Sequence, residues 1–235
     1  MKKLLILILL CLSAPVLMPV PAHSATPPTL AQVASRVQAN QVLSRAEART
    51  LARASVAAVG GDAVALEDFV LKHPRYASTL AVKVSMTTNT TIAPAPLTAA
   101  LSAACGSGQR TTSKTYYAKN VTNSTMWRFQ VSKDFTWNSC VKRVNDDDFM
   151  SSDGIQGYVY GPFQFAWDYL GVTDHHGGYY NFSGQGSRSA HGSEATGKFK
   201  QCVGWPISIC PSTVMPWVRN NAHYDGSVAN YSGTR

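Results

Sequence analysis

The stretch MWRFQVSKDFTWN, residues 126–138, alternates bulky apolar and polar side chains along its length. Trp127, Phe129, Val131, Phe135 and Trp137 fall on one side, and Arg128, Gln130, Ser132, Asp134 and Thr136 on the other. A period of two is that of a β-strand with one buried face. On a helix the same rings would scatter around the circumference.

The pattern recurs. FQFAWDYLGV places Phe163, Phe165, Trp167 and Tyr169 on one side of an expected strand. GYVYG, TGKFKQC and MPWVRNNAHY read as further strands, and Asp225-Gly226 between apolar runs is a hairpin signal. All five Trp, nine of the ten Tyr and seven of the eight Phe follow Cys105. The sequence therefore predicts a mainly β protein, with an antiparallel β-sandwich over residues 105–235.

The chain before Cys105 has another character. Lys2, Lys3 and the apolar run Leu4 to Leu12, followed by the small-residue site Ala22-His23-Ser24-Ala25, read as a bacterial-type secretory signal peptide over residues 1–25. Residues 26–87 read as a helical N-terminal region. Leu30, Val33 and Val37 recur at helical spacing, Ser44 with Glu47 forms a capping box, and Asp62 can cap a helix carrying Leu66, Phe69 and Val70. Residues 88–104, rich in Thr, Ala and Pro, read as a linker. No later stretch is apolar enough to span a membrane as a helix.

Without the signal, four cysteines remain: Cys105, Cys140, Cys202 and Cys210. None has the C-x-x-C spacing of a zinc site, and an even number in an exported chain predicts two disulfides. Sequential pairing is the expectation, although spacing leaves the connectivity open.

The order Cys105, FTWNSC at 135–140, the aromatic middle GYVYGPFQFAW, GKFKQC, and then CPSTVMPWVRNNAHYDGS resembles a group of uncharacterised secreted bacterial β-sandwich proteins. The resemblance covers residues 105–230 and implies that fold. The group has no agreed activity to carry over.

Several stretches invite chemistry. Ser187 or Ser189 with His191 would suggest a serine hydrolase, but GQGSRSAHG lacks the G-x-S-x-G elbow and reads as a glycine-rich loop entering a strand. Asp174 with His176, and His223 with Asp225, share faces two residues apart. Together they could supply four nitrogen and oxygen ligands to a metal, the one cofactor the sequence suggests. NDDDFMSSDG, with Asp146, Asp147, Asp148 and Asp153, fails the calcium-loop pattern at Met150 and reads as an acidic turn.

Residues 101–235 carry 12 basic and 9 acidic side chains, too small an excess to make nucleic acid the leading partner. The adjacent tyrosines Tyr116-Tyr117 and Tyr179-Tyr180 each send one ring to either face of a strand. They are therefore the candidate ligand-binding residues, through stacking on a sugar or burial against a partner. The expected function is that of a non-enzymatic binding module at or outside the cell envelope, directed at a glycan or another envelope component. A metal-assisted hydrolase is the first alternative. The second is a secreted bacteriocin-like antagonistic protein with residues 26–104 as a removable pro-segment.

Overall fold

The computed structural model describes residues 26–92, 105–146, 154–203 and 209–235. The expected signal peptide, Asp147, Asp148, Asp153 and most of the expected linker lie outside these residues. Three helices come first: α1 (Leu30–Gln38), α2 (Arg45–Val59) and α3 (Ala63–Lys72). Ser44 and Glu47 make both reciprocal bonds of a capping box at the start of α2, and Asp62 Oδ1 accepts from Val64 and Ala65 N–H at the start of α3.

Among the described residues, ten strands follow: β1 (Ala81–Ile92), β2 (Ser107–Asn120), β3 (Thr125–Asn138), β4 (Arg143–Asp146), β5 (Ile155–Val159), β6 (Trp167–Tyr180), β7 (Ala190–Val203), β8 (Ile209–Val214), β9 (Pro216–His223) and β10 (Val228–Thr234). They form two antiparallel sheets. The first runs β1-β2-β3-β4, with β5 also on β3, and the second runs β10-β9-β7-β6, with β8 also on β7.

Alternation decides which side chains meet between the sheets. Trp127, Phe129 and Phe135 of β3 are fully buried, as are Trp167 of β6 and Phe199 of β7. Trp127 stacks on Phe199 at 4.3 Å between centroids and meets Trp167 at 5.8 Å. The helices join the same core. Val33, Leu51, Leu66 and Phe69 belong to one hydrophobic cluster with Trp127 and Phe199. The Thr79 carbonyl, just before β1, accepts from Trp167 Nε1 and from Gln201 Nε2, each at 2.9 Å. Two buried polar side chains of the second sheet thus find their acceptor in the segment that links helices to sheet.

Two expectations need correction. The expected strand from Phe163 starts only at Trp167, because Gly161–Phe163 form a 3-10 turn around Pro162 and Phe165 is exposed. Proline has no N–H to give a ladder, so the chain turns before it pairs. Thr88 to Ile92, read as linker, are the end of β1 and pair with Arg110 to Lys114 of β2. Threonine is poor in apolar surface but favourable in strands, and a partner strand supplies the rest.

Cys105 pairs with Cys140 and Cys202 with Cys210, with Cα–Cα separations of 4.9 and 4.0 Å. This is the sequential pairing. Among the described residues, no helix is long and apolar enough to cross a membrane.

Candidate functional site

β7 is the central strand of the second sheet, and its side chains alternate between the core and the outer face. Ala195 and Phe199 point inward, into the core cluster. Gly192 and Glu194 therefore face outward. Gly192 lies beside Gly178 of β6 on one side and Asn221 of β9 on the other. The neighbouring register brings His176 next to Glu194, and Glu194 next to Arg219.

Two facing glycines leave a trough, because neither has a side chain to fill it. A Cβ on Gly178 would meet nothing within 4 Å. One on Gly192 would stand 2.9 Å from Asn221 Oδ1, 3.6 Å from Arg219 Nη2 and 3.6 Å from Tyr180 Cε1. Three side chains from two strands thus converge above one glycine. The hollow has a volume of about 250 Å³ and is lined by His176, Tyr180, Glu194 and Arg219 together with the glycines.

Each wall is held from behind. Arg219 Nε donates to Asn221 Oδ1 at 3.1 Å, which aims the guanidinium along the sheet. Tyr180 Oη lies 3.3 Å from His223 Nε2, and His223 Nδ1 lies 2.9 Å from Ser227 Oγ. The Ser227 hydroxyl donates to Asp225 Oδ1 at 2.6 Å. With that hydroxyl hydrogen committed to Asp225, Ser227 Oγ can only accept from His223, so Nδ1 carries the proton. His223 Nε2 then accepts from the Tyr180 hydroxyl. The chain of bonds runs from Tyr180 to Asp225 in one direction and fixes the tyrosine ring at the rim.

The titration behaviour agrees with this order. Burial lowers the His223 pKa below its usual 6.5, against the opposing pull of the Asp225 carboxylate. Burial raises the Tyr180 pKa, partly offset by Arg219. Burial would raise that of Asp225, but the side-chain and backbone donors of Ser227 hold it below the usual range. A neutral His223 stacked on Phe182, at 3.8 Å between ring centroids, is therefore the folded form.

A histidine with a depressed folded pKa gives stability that is complete above the unfolded value and is lost as pH falls below it. Lowering the pH from about 7.5 to about 5.5 should accordingly lower the urea midpoint, and His223→Gln should lose less over that interval. Equal losses in both proteins would contradict the assignment.

The other end of the hollow is neutralised internally. Glu194 is 8 % exposed and ion-pairs with Arg235 Nη2. Arg235 Nη1 also lies 3.6 Å from Asp174 Oδ2, which is itself 3.6 Å from His176 Nδ1.

The structure separates several residues that the sequence grouped. His176 is level with Glu194 and His223 with Ala190, four positions apart on β7. That is about 13 Å of strand, far beyond the span of one coordination sphere. The four-ligand metal site at Asp174, His176, His223 and Asp225 does not form. Among the described residues, no group of three His, Cys, Asp or Glu is placed to hold a metal.

Tyr116 is 1 % exposed and stacks on Trp127, with its pKa pushed up to about 12 by burial, so it offers no ring to a ligand. Tyr117 is half-buried on the first sheet, away from the hollow. Tyr179 is exposed at the end of β6, against His191 at 4.6 Å and under Arg188 at 5.3 Å. Tyr179 and Tyr180 both border the hollow, and the Tyr180 ring comes within 3.6 Å of the place a Cβ on Gly192 would take. Ser189 is buried and makes its hydrogen bonds to backbone, while His191 Nδ1 meets Lys133 Nζ at 2.7 Å between the sheets. The serine–histidine pair is thus divided between a loop and the core.

Sequence reasoning missed the grouping of Arg219, Asn221 and Glu194. Arg219 and Asn221 belong to a run of three polar residues and Glu194 follows Ser193, so none of them stands out in its strand pattern. Only their alignment across β9 and β7 makes them neighbours.

A larger cavity of about 700 Å³ lies between α2 and α3. Its charges already engage one another, since Glu67 accepts from Arg49 at 3.0 Å and faces Arg45 at 3.7 Å. No family model, no curated protein and no solved structure matches the chain.

Proposed function

We propose that this chain is an exported, disulfide-stabilised β-sandwich that binds a glycan or another cell-envelope component without transforming it. The observation that carries this reading is the convergence of Tyr180, Arg219 and Asn221 over Gly192. A sugar presents a C–H face and a rim of hydroxyls. A fixed aromatic wall beside planar amide and guanidinium donors matches both surfaces.

The hollow holds no activated nucleophile. His223 is occupied on both ring nitrogens, and Ser189 is bound into the loop before β7. This favours binding over the hydrolase reading, whose ligands also lie too far apart. The antagonist reading requires removal of the helical segment. That would strip β1 from β2 and take Leu51, Leu66 and Thr79 out of the shared core, which disfavours it.

The test is retention of the full chain on insoluble peptidoglycan, chitin and cellulose. Tyr180→Ala is expected to weaken retention about fivefold, the loss of one stacking contact. Tyr179→Ala should change it less, since that ring leans on His191 and Arg188. Circular dichroism checks the fold of each variant. Failure of the unaltered protein to bind any wall glycan would end the glycan reading and leave a protein partner.

A further inference from the structure

The two ends of the hollow differ in how their charges are matched. At the Asp174 end, Arg235 lies between the carboxylates of Asp174 and Glu194. At the Gly192 end, Arg219 has no carboxylate within 4.0 Å among the described residues. Its Nε is spent on Asn221 Oδ1, while its Nη2 leans over the Cβ-free floor. A guanidinium aimed by a neighbour, over a gap, beside an aromatic wall, is a preorganised fork for a planar oxyanion. The Tyr180 hydroxyl hydrogen is turned back to His223, so its oxygen can only accept from a sugar hydroxyl, and the donor left for a carboxylate is the Arg219 guanidinium.

Resting on the glycan reading above, we infer that the hollow selects an acidic polysaccharide. The carboxylate of a uronic-acid residue pairs with Arg219 above Gly192, and the sugar ring lies against Tyr180. Arg219 is then the specificity-determining residue. Gly192 is the position that must remain without a side chain, because a Cβ there would come within 2.9 Å of Asn221 Oδ1 and fill the seat of the carboxylate.

The experiment compares polygalacturonate with its fully methyl-esterified form, which shares the backbone and lacks the charge. Binding of the full chain is followed by affinity electrophoresis or calorimetry. The free acid should bind at least about tenfold more tightly than the ester, with the advantage shrinking as salt rises. Arg219→Gln should bring binding of the free acid down to the level of the ester, abolishing that preference. Arg219→Lys should restore only part of it, because a point charge lacks the bidentate fork. Circular dichroism confirms that the variants are folded. Equal binding of acid and ester, or an unchanged preference in Arg219→Gln, overturns the inference while the glycan reading stands. Binding to neither polymer, together with no retention on any insoluble wall glycan, overturns the glycan reading itself.

Discussion

Trp127→Ala is expected to destabilise the protein by about 3–5 kcal/mol, the range for truncating a large buried aromatic. Trp127 is fully buried and stands where the two sheets meet. It stacks on Phe199, lies at 5.9 Å from Tyr116 and at 5.8 Å from Trp167. Truncation would empty the space between these rings, and strands held by ladder hydrogen bonds cannot close around it. Trp127→Phe should cost much less, about 1–2 kcal/mol, because the stacked ring survives. The indole N–H that it removes has no acceptor among the described residues. Urea unfolding followed by far-ultraviolet circular dichroism measures both. Similar losses for Ala and Phe would mean that the indole nitrogen, and not the packed ring, matters at this position.

Reduction of the two cystines should lower stability by more than the Trp127 truncation does. In the loop-closure picture, the Cys105–Cys140 bridge, with a separation of 35 residues, contributes roughly 4 kcal/mol. The Cys202–Cys210 bridge, with a separation of 8, contributes roughly 2.5 kcal/mol. Against the 5–15 kcal/mol typical of a domain, losing both is a large fraction of the total. Replacing Cys105 and Cys140 with Ser should therefore shift the urea midpoint more than replacing Cys202 and Cys210. Thiol titration of the denatured, unreduced protein should find no reactive sulfhydryl from Cys105, Cys140, Cys202 or Cys210, and Cys11 reacts only where the expected signal peptide is retained. Two of these four thiols reacting would mean that one bridge is open in the purified protein, and the Cys→Ser variant of that pair would then leave the urea midpoint unshifted.

What could be read locally was legible. Trp127, Phe129, Val131 and Phe135 share a face because strand periodicity is a property of consecutive residues, and all four are buried together. The Asp225-Gly226 turn joins β9 to β10, with Gly226 at φ +78°, a backbone conformation that a glycine reaches without penalty. Lys133 broke the pattern. It occupies an inward position between Val131 and Phe135 and is 1 % exposed, which a rule placing charges outside cannot anticipate. It is buried because His191 of the facing sheet comes to it.

Local pattern accounts for the apolar face of β3, the turn between β9 and β10, the helix caps at Ser44 and Asp62, and the pairing of the cysteines. Each follows from residues within a few positions of one another, or from a count. Which outward polar residues become neighbours depends instead on how distant strands pair. Register set Gly178 against Gly192 and Gly192 against Asn221, and it placed His176 in the trough and His223 four positions further along β7, behind Tyr180. A shift of a single residue in any of these pairings would send Arg219 or Tyr180 to the other face. Register between strands distant in sequence is fixed by the whole core at once, through rings such as Trp127 and Phe199, and no local pattern encodes it. The hollow is therefore a property of the packed sheets, although every residue that lines it was visible from the start.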